Sequence, residues 1–481
     1  MNYSKTIGSL PDNLIIKEFP DVERSVTAAE LFDVSGRCAA WLQRQGYKHI
    51  AIHMGNCPEL LFLFAGALRA GVKSEFLNVL KPAESEIPVF DQEKVRAILR
   101  ESTDCRFTEY DWSDDEPIIV LLTSGTSGER KRVQKTFRNF LGDREYRSLW
   151  KLALKALHIR IYNATPWYHN TGMSLLLISM AGGIFTEVTT CKFNPERMRE
   201  YINKTRPNCL LCTPTMIKRC ASCGDVALPF LMLCCGEHMS TDTIRLLEET
   251  GGGQLLYTGY GSTELGGVSS MLYTFEGLRS NAKRLANLLG SLGIVGMVCN
   301  KNTFQDNCVG KLSKGVKVKV FSDGKEQAEG NVGEIAVAKK TKIDSIEAEF
   351  FDTGDLGYLR GEMLFIVGRK SNVINRSGEK IIPADIEEVI EKFSGVEDVV
   401  VFGLPSATHG EDICAAVKSR DGAAVFRKED LAGKLPKFMI PQHVFFMEEL
   451  PLNASGKKEI IQLRKLAQER ISQASHAKDN A

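Results

Sequence analysis

The sequence predicts an α/β protein: a large N-terminal domain of doubly wound, mostly parallel sheets, a β-rich subdomain, and a small α+β C-terminal domain. Three observations predict it. At 481 residues the chain is too long for one hydrophobic core, so a large domain and a smaller one are expected. Helical and strand-like segments alternate as far as Thr258, the pattern of parallel strands joined by crossover helices. From Val309 to Val337 the texture changes to short, glycine-punctuated alternating segments, which read as antiparallel strands.

The elements follow in order. Ala28–Gln45 has helical periodicity, Ile50–Met54 is strand-like, and Leu60–Gly71 reads as a buried helix ended by glycine. The same alternation recurs at Met198–Lys204, Cys209–Cys212, Met216–Cys223, Phe230–Cys234, Thr241–Thr250 and Gln254–Thr258, and ligands are expected at the carboxyl ends of such strands. Val316–Phe321 and Gly333–Val337 are the antiparallel pieces. After Gly368-Arg369 a fresh unit begins, with a hairpin at Val373–Ile382, a helix at Ala384–Phe393 and strands at Val396–Phe402 and Cys414–Lys418. The expected domains are therefore 1–367 and 368–481. Beyond about Leu466 the chain is polar and is expected to fray.

With 61 basic and 60 acidic residues the net charge is +1, which gives no reason to expect a nucleic-acid or polyanionic-membrane partner. A small-molecule partner is expected instead. The N-terminus has no apolar signal core, and the longest apolar stretch, around Met173–Phe185, is too short and too Gly/Ser-interrupted to span a bilayer. A cytoplasmic protein with no membrane span is the expectation. Thirteen cysteines, an odd number, argue for reduced thiols. Cys209-x-x-Cys212 followed by Cys220-x-x-Cys223 has a gap of seven residues, short for a zinc ribbon. In a strand Cys209 and Cys212 would face opposite sides, so no zinc site is expected there, and Cys234-Cys235 read as small hydrophobes.

The chemistry concentrates in Leu121–Arg132, Leu-Leu-Thr-Ser-Gly-Thr-Ser-Gly-Glu-Arg-Lys-Arg, where an apolar run meets a small, hydroxyl-rich and then cationic loop. Gly125 and Gly128 let backbone N–H groups approach phosphate oxygens, Thr123, Ser124, Thr126 and Ser127 add hydroxyl donors, and Lys131 adds charge. The spacing is not that of a Walker loop, and taken alone the segment also suits an ordinary surface turn. Six further segments stand along the chain in one order: Pro166–Gly172, Cys235–Glu237, Gly259–Glu264 (Gly-Tyr-Gly-Ser-Thr-Glu), Asp352–Asp355, Gly368-Arg369 and Ser455–Lys457. Together they resemble the adenylate-forming superfamily of acyl-CoA synthetases, aryl-acid ligases, luciferases and peptide-synthetase adenylation domains, from about residue 25 to about residue 465.

The resemblance implies that ATP activates a carboxylic acid to an acyl adenylate, with release of pyrophosphate, and that the acyl group then passes to a thiol. It implies roles residue by residue. Thr123–Gly128 with Lys131 would hold the β- and γ-phosphates, Thr263 the α-phosphate, and Glu264 a magnesium ion. Tyr260 would stack on adenine, with the backbone of Gly236 and Glu237 on its other face. Asp355 would accept hydrogen bonds from the ribose hydroxyls, and Arg369 would reach the same sugar or the phosphate. Lys457, rather than Lys458, matches the catalytic lysine between the carboxylate and the α-phosphate. In this family the small domain is mobile and rotates after adenylation, so that Ser377, Gly378 and Lys380 resemble a thiol-transfer surface. The hinge position holds Ser371 where the family usually has Asp or Lys, a departure that bears on the second half-reaction.

Pro166–Gly172 lacks the Asp with which amino-acid-activating relatives pair a substrate ammonium. His169, Met173, Gly259 and Val268 would line a pocket for a fatty or aromatic acid, although His169 also suits a packed core position. The acceptor would be coenzyme A or the phosphopantetheine of a carrier protein. A non-catalytic nucleotide- or acyl-binding protein is the reading from another class, set against the joint presence of Lys457, Glu264 and Asp355.

Overall fold

Aliphatic runs bounded by Gly, Pro and Asn become buried parallel strands in the first of two units, which ends at Asp306. A computed structural model describes residues 15–18, 24–124, 130–141, 159–182, 185–190, 193–251, 253–291, 295–339, 349–406, 408–419, 422–452 and 458–479. One sheet of this unit runs Val89–Phe90, His49–Ile52, Lys73–Phe76, Pro117–Ser124 and Arg130–Thr136, parallel except for the last pair. A second sheet has six parallel strands in the order Leu255–Ser262, Leu231–Cys234, Cys209–Cys212, Ile159–Asn163, Phe185–Thr190 and Ile15–Glu18. Gly266–Thr274 and Arg24–Thr27 flank it antiparallel.

The helices fit the gaps. Pro58–Ala70 is apolar almost throughout and buried at every position, and Gly71, at φ 74°, ends it in the left-handed region. It crosses the helix Ala28–Arg44, whose N-terminus Thr27 caps by accepting from Glu30 N at 3.1 Å. Gly66 makes that crossing close: a Cβ there would stand 2.5 Å from Cys38 Cβ and 2.8 Å from Ser35 O. Beneath the second sheet, Tyr162, Leu210, Met232 and Leu256 pack on Met198 and Ile217 of the crossover helices Pro195–Thr205 and Pro214–Ser222. Cys209 and Cys212 are buried strand residues, and Cys212 Sγ lies 3.5 Å from Cys234 Sγ. Burial pushes the thiols of Cys209 and Cys212 well up, so they stay protonated and serve as core atoms.

The second unit begins at Asn307. Its first sheet is antiparallel, in the order Lys325–Glu326, Val316–Ser322, Gly333–Lys339, Phe351–Arg360, Met363–Arg369 and Cys308–Leu312. A short turn, Lys370–Asn372, leads to a second sheet built on Gly410–Ser419, with Val396–Ser406 and Ile374–Arg376 antiparallel to it and His443–Met447 parallel. Ile386 and Ile390 of the helix Pro383–Ile390 pack with Val399 and Ile413 on one side. Leu463 and Ala467 of the helix Ile460–Asp479 pack with Phe402 and Cys414 on the other. The expectation of fraying beyond Leu466 is corrected here, because Leu463 and Ala467 are buried at i, i+4 spacing with Ile471 partly so, enough to seat a helix that continues to Asp479. Among the described residues no helix is long and apolar enough to cross a membrane.

Gly66→Ala is expected to destabilise the protein by about 1–3 kcal/mol, because the added methyl meets a backbone oxygen and a Cβ, neither of which can swing away. The urea midpoint measures it, and an unchanged midpoint would contradict the close crossing.

Candidate active site

The hydroxyl-rich segment begins on one strand of an antiparallel pair, and the cationic residues that follow it lie on the other. Thr123 stands opposite Lys131 and Ser124 opposite Arg130 across the antiparallel pair Pro117–Ser124 and Arg130–Thr136. Gly125, Thr126, Ser127 and Gly128 lie outside the described residues. Lys131 is exposed. Its neighbour Arg132 donates to the carboxylate of buried Glu75 on Lys73–Phe76, a pair 57 residues apart that no sequence pattern marks. Burial pushes the Glu75 carboxyl up, and the Arg132 guanidinium draws it back.

The Gly-Tyr-Gly-Ser-Thr-Glu run forms a second hairpin, Leu255–Ser262 with Gly266–Thr274. Its glycines answer to the hairpin itself. A Cβ at Gly259 would lie 2.5 Å from Ser269 O, and one at Gly261 would lie 2.2 Å from Gly266 O. The register shifts between Tyr260 and Gly261, so Tyr260 stands at an irregularity near the end of the strand and Thr263 and Glu264 follow it, all three half-buried. Thr123 Oγ1 donates to Glu264 Oε1 at 3.1 Å, across 141 residues of sequence. The two hairpins thus meet at a hydroxyl and a carboxylate.

Cys235 N donates to Cys212 O at 3.2 Å, which carries the ladder one step past the strand, and Gly236 then turns with φ 96°. The Glu237 side chain accepts from Thr215 N at 3.0 Å and so satisfies the N-terminus of Pro214–Ser222. Between Ile159–Asn163 and the helix Asn170–Gly182 lies the segment with His169. Asn163 Oδ1 accepts from Thr165 N at 2.9 Å and from its hydroxyl at 2.7 Å. His169 N donates to Pro166 O, and its ring lies 4.7 Å from that of Tyr168. A Cβ at Gly172 would stand 2.2 Å from Pro166 O, so helix and loop touch backbone to backbone. Met173 and Val268 are wholly buried, while His169 and Gly259 are half-buried.

In the second unit Asp355 is 6% exposed and is a strand residue rather than a turn former. It faces Arg369 across the ladder, and Arg369 Nε lies 2.9 Å from Asp355 Oδ1. Thr353 Oγ1 holds the peptide of Asp355 at 3.1 Å and donates to Ile335 O. Ser371 is exposed within the turn Lys370–Asn372. Ser377 and Gly378 form the tip of the hairpin Ile374–Arg376 and Glu379–Ile381, at φ 51° and 90°, with Ser377 N donating to His409 O at 2.7 Å. Lys380 is exposed. Lys457 lies outside the described residues, but its neighbour is committed elsewhere. Lys458 Nζ donates to Val399 O at 2.9 Å and pairs with Asp398 at 2.7 Å. Burial lowers the Lys458 ammonium, but Asp398 and Glu387 outweigh that and hold it above its ordinary range.

The groups fit a magnesium nucleotide. No group of three or more His, Cys, Asp or Glu that could hold a metal is present among the described residues. One carboxylate beside a hydroxyl suits an ion that keeps waters and shares substrate phosphates, rather than one caged by protein alone.

The family model described as "AMP-binding enzyme" matches residues 75–342, and that described as "AMP-binding enzyme C-terminal domain" matches 385–457. The chain is 24% identical to the 2-succinylbenzoate–CoA ligase of Geobacillus kaustophilus (strain HTA426), over 93% of this chain and 94% of that one. It is 26% identical to the mitochondrial medium-chain acyl-CoA ligase of Mus musculus, over 86% of this chain and 68% of the relative. Among solved structures, o-succinylbenzoate CoA synthetase from Bacillus subtilis in complex with an acyl-adenylate intermediate superposes with a TM-score of 0.72, at 21% identity, covering 96% of this chain and 98% of that one.

Lys458→Met is expected to cost about 2 kcal/mol, between the values for exposed and buried pairs, because Asp398 loses its half-buried counter-charge. A urea midpoint like that of the wild type would show that the pair contributes nothing.

Proposed function

The chain belongs to the AMP-binding enzyme family, and on that premise we propose that it activates a fatty or aromatic carboxylic acid with ATP and transfers the acyl group to coenzyme A. In the first half-reaction a carboxylate oxygen attacks the α-phosphorus, an acyl–phosphate bond forms, and the bond to pyrophosphate breaks. In the second, the thiol sulfur attacks the acyl carbonyl, AMP departs with the bonding pair, and the thiol proton passes to solvent.

The single observation that carries this reading is the Thr123–Glu264 contact. It joins the segment suited to the β- and γ-phosphates to the segment suited to the α-phosphate and its metal. Two anions must approach one another in the first step, so the site has to neutralise charge and hold the attacking oxygen in line. Lys131 and the hydroxyls of Thr123, Ser124, Thr126 and Ser127, with the peptide N–H groups at Gly125 and Gly128, supply donors for the terminal phosphates. Thr263 serves the α-phosphate. Magnesium, when bound, neutralises phosphate charge, and Glu264 beside Thr123 is the pair suited to hold it. Tyr260, with the peptides at Gly236 and Glu237, serves adenine; Asp355 accepts from the ribose, and Arg369 orients Asp355.

Lys457 is the group proposed to move with the negative charge from carboxylate to phosphate. The commitment of Lys458 to Asp398 and Val399 supports that choice between the two lysines. The small domain of the proposal starts at residue 368, turns on Ser371, and offers Ser377, Gly378 and Lys380 to the thiol. An acid without an amino group is favoured by His169 beside Tyr168, with no carboxylate in Pro166–Gly172 to pair an ammonium. The relatives' names, one an aromatic acid and one an acyl chain, agree with that. The described cysteines are free thiols, which supports a reducing compartment such as the cytoplasm.

ATP–pyrophosphate exchange across fatty, aryl and amino acids tests the proposal. Exchange with fatty or aryl acids alone is expected; exchange only with amino acids, or with none, would overturn it. Lys457→Ala is expected to lose exchange by about 100-fold or more while still binding ATP, as is usual for a lost transition-state donor. Glu264→Gln is expected to raise the magnesium concentration needed for half-maximal exchange, and an unchanged requirement would remove Glu264 from the metal site.

A further inference from the structure

We propose that Asn56 is a positioning residue for the acid-binding loop, a role that rests on the acid-activating reading above. Asn56 lies far from that loop in sequence, in the turn between the strand His49–Ile52 and the helix Pro58–Ala70, and its strand belongs to the other sheet. Its side-chain amide nevertheless spans the loop. Nδ2 donates to Thr165 O at 2.9 Å, and Oδ1 accepts from Trp167 N at 2.7 Å. The amide therefore reads two backbone groups on either side of Pro166, as the edge of a neighbouring strand would.

That pairing comes where the main-chain ladder ends. Ala164 N still donates to Leu211 O at 2.8 Å in the neighbouring strand, but the next amide, Thr165 N, turns inward to Asn163 Oδ1. Pro166 has no N–H to give, so the following N–H is that of Trp167, and it goes to Asn56. Trp167 is 1% exposed, so that N–H has no route to bulk water if the amide is removed. Downstream, His169 N is tied to Pro166 O and Met173 N to His169 O, so a shift at Thr165–Trp167 is passed on to the ring of His169. Thr123, Thr263 and Glu264 hang on other hairpins and do not share this support. Loss of the amide should accordingly move acid binding and leave ATP binding alone.

The test is ATP–pyrophosphate exchange with the best acid, on the full-length protein. Two hydrogen bonds worth about a factor of ten together are removed in Asn56→Ala, so KM for the acid should rise about tenfold, while KM for ATP changes less than about twofold. Asn56→Asp supplies a readout that general loosening would not give. Its carboxylate keeps the acceptor for Trp167 N–H but faces Thr165 O with no proton to donate. Acid KM should therefore rise in Asn56→Asp as well, although the side chain keeps its size, while KM for ATP changes less than about twofold. If the wild type exchanges but both KM values move alike in either variant, the positioning role is overturned and the acid-activating reading stands. A wild type that exchanges with no acid overturns that reading and the role of Asn56 with it.

Discussion

Parallel pairing is the constraint on which the site of the first unit depends. Because Ile159–Asn163, Cys209–Cys212, Leu231–Cys234 and Leu255–Ser262 run the same way, each delivers its carboxyl end to a single edge. The loops that begin there are the ones that carry Thr165–His169, Thr213, Gly236–Glu237 and Thr263–Glu264. Backbone groups leave the ladder at that edge and must find partners, and side chains provide them: Asn163 for Thr165, Glu237 for Thr215, Asn56 for Trp167. The polar character of the edge is thus a product of sheet geometry before any substrate is considered.

In the second unit the same need is met by antiparallel registry. Asp355 and Arg369 are cross-strand partners, so their ion pair is fixed by the ladder and not by loop conformation. At the far hairpin the chain pays a small conformational cost, since Ser377 sits in the left-handed region where glycine is usual and is held by the carbonyl of His409. Strain of that kind, retained at an exposed tip, marks a place where the backbone direction matters more than local comfort.

Much of this was legible in the sequence, and the reason is periodicity. Cys209–Cys212 and Thr241–Thr250 occupy the bounds that their patterns indicate, because an all-apolar tetrad between turn signals and a Ser-capped amphipathic decad have few alternative structures. The six ordered motifs stand out in the sequence because hydroxyls, glycines and single charges cluster there. Partnerships were not. Arg132 with Glu75, Lys458 with Asp398 and Asn56 with Thr165 join residues 57, 60 and 109 positions apart, and nothing periodic links them. Composition also misled at the C-terminus, where a polar average concealed the few buried positions that hold the helix Ile460–Asp479 in place. Gly259 carries a related lesson: its lack of a side chain suits a binding site, yet the opposed carbonyl of Ser269 already demands it.

The loop after Asn163 is fastened chiefly by side-chain amides, and only its first peptide still belongs to the sheet. Its residues can therefore be exchanged during divergence without breaking strand registry, provided the two asparagines stay. A protein built this way can change the side chains of one loop while the strands beneath it are inherited unchanged.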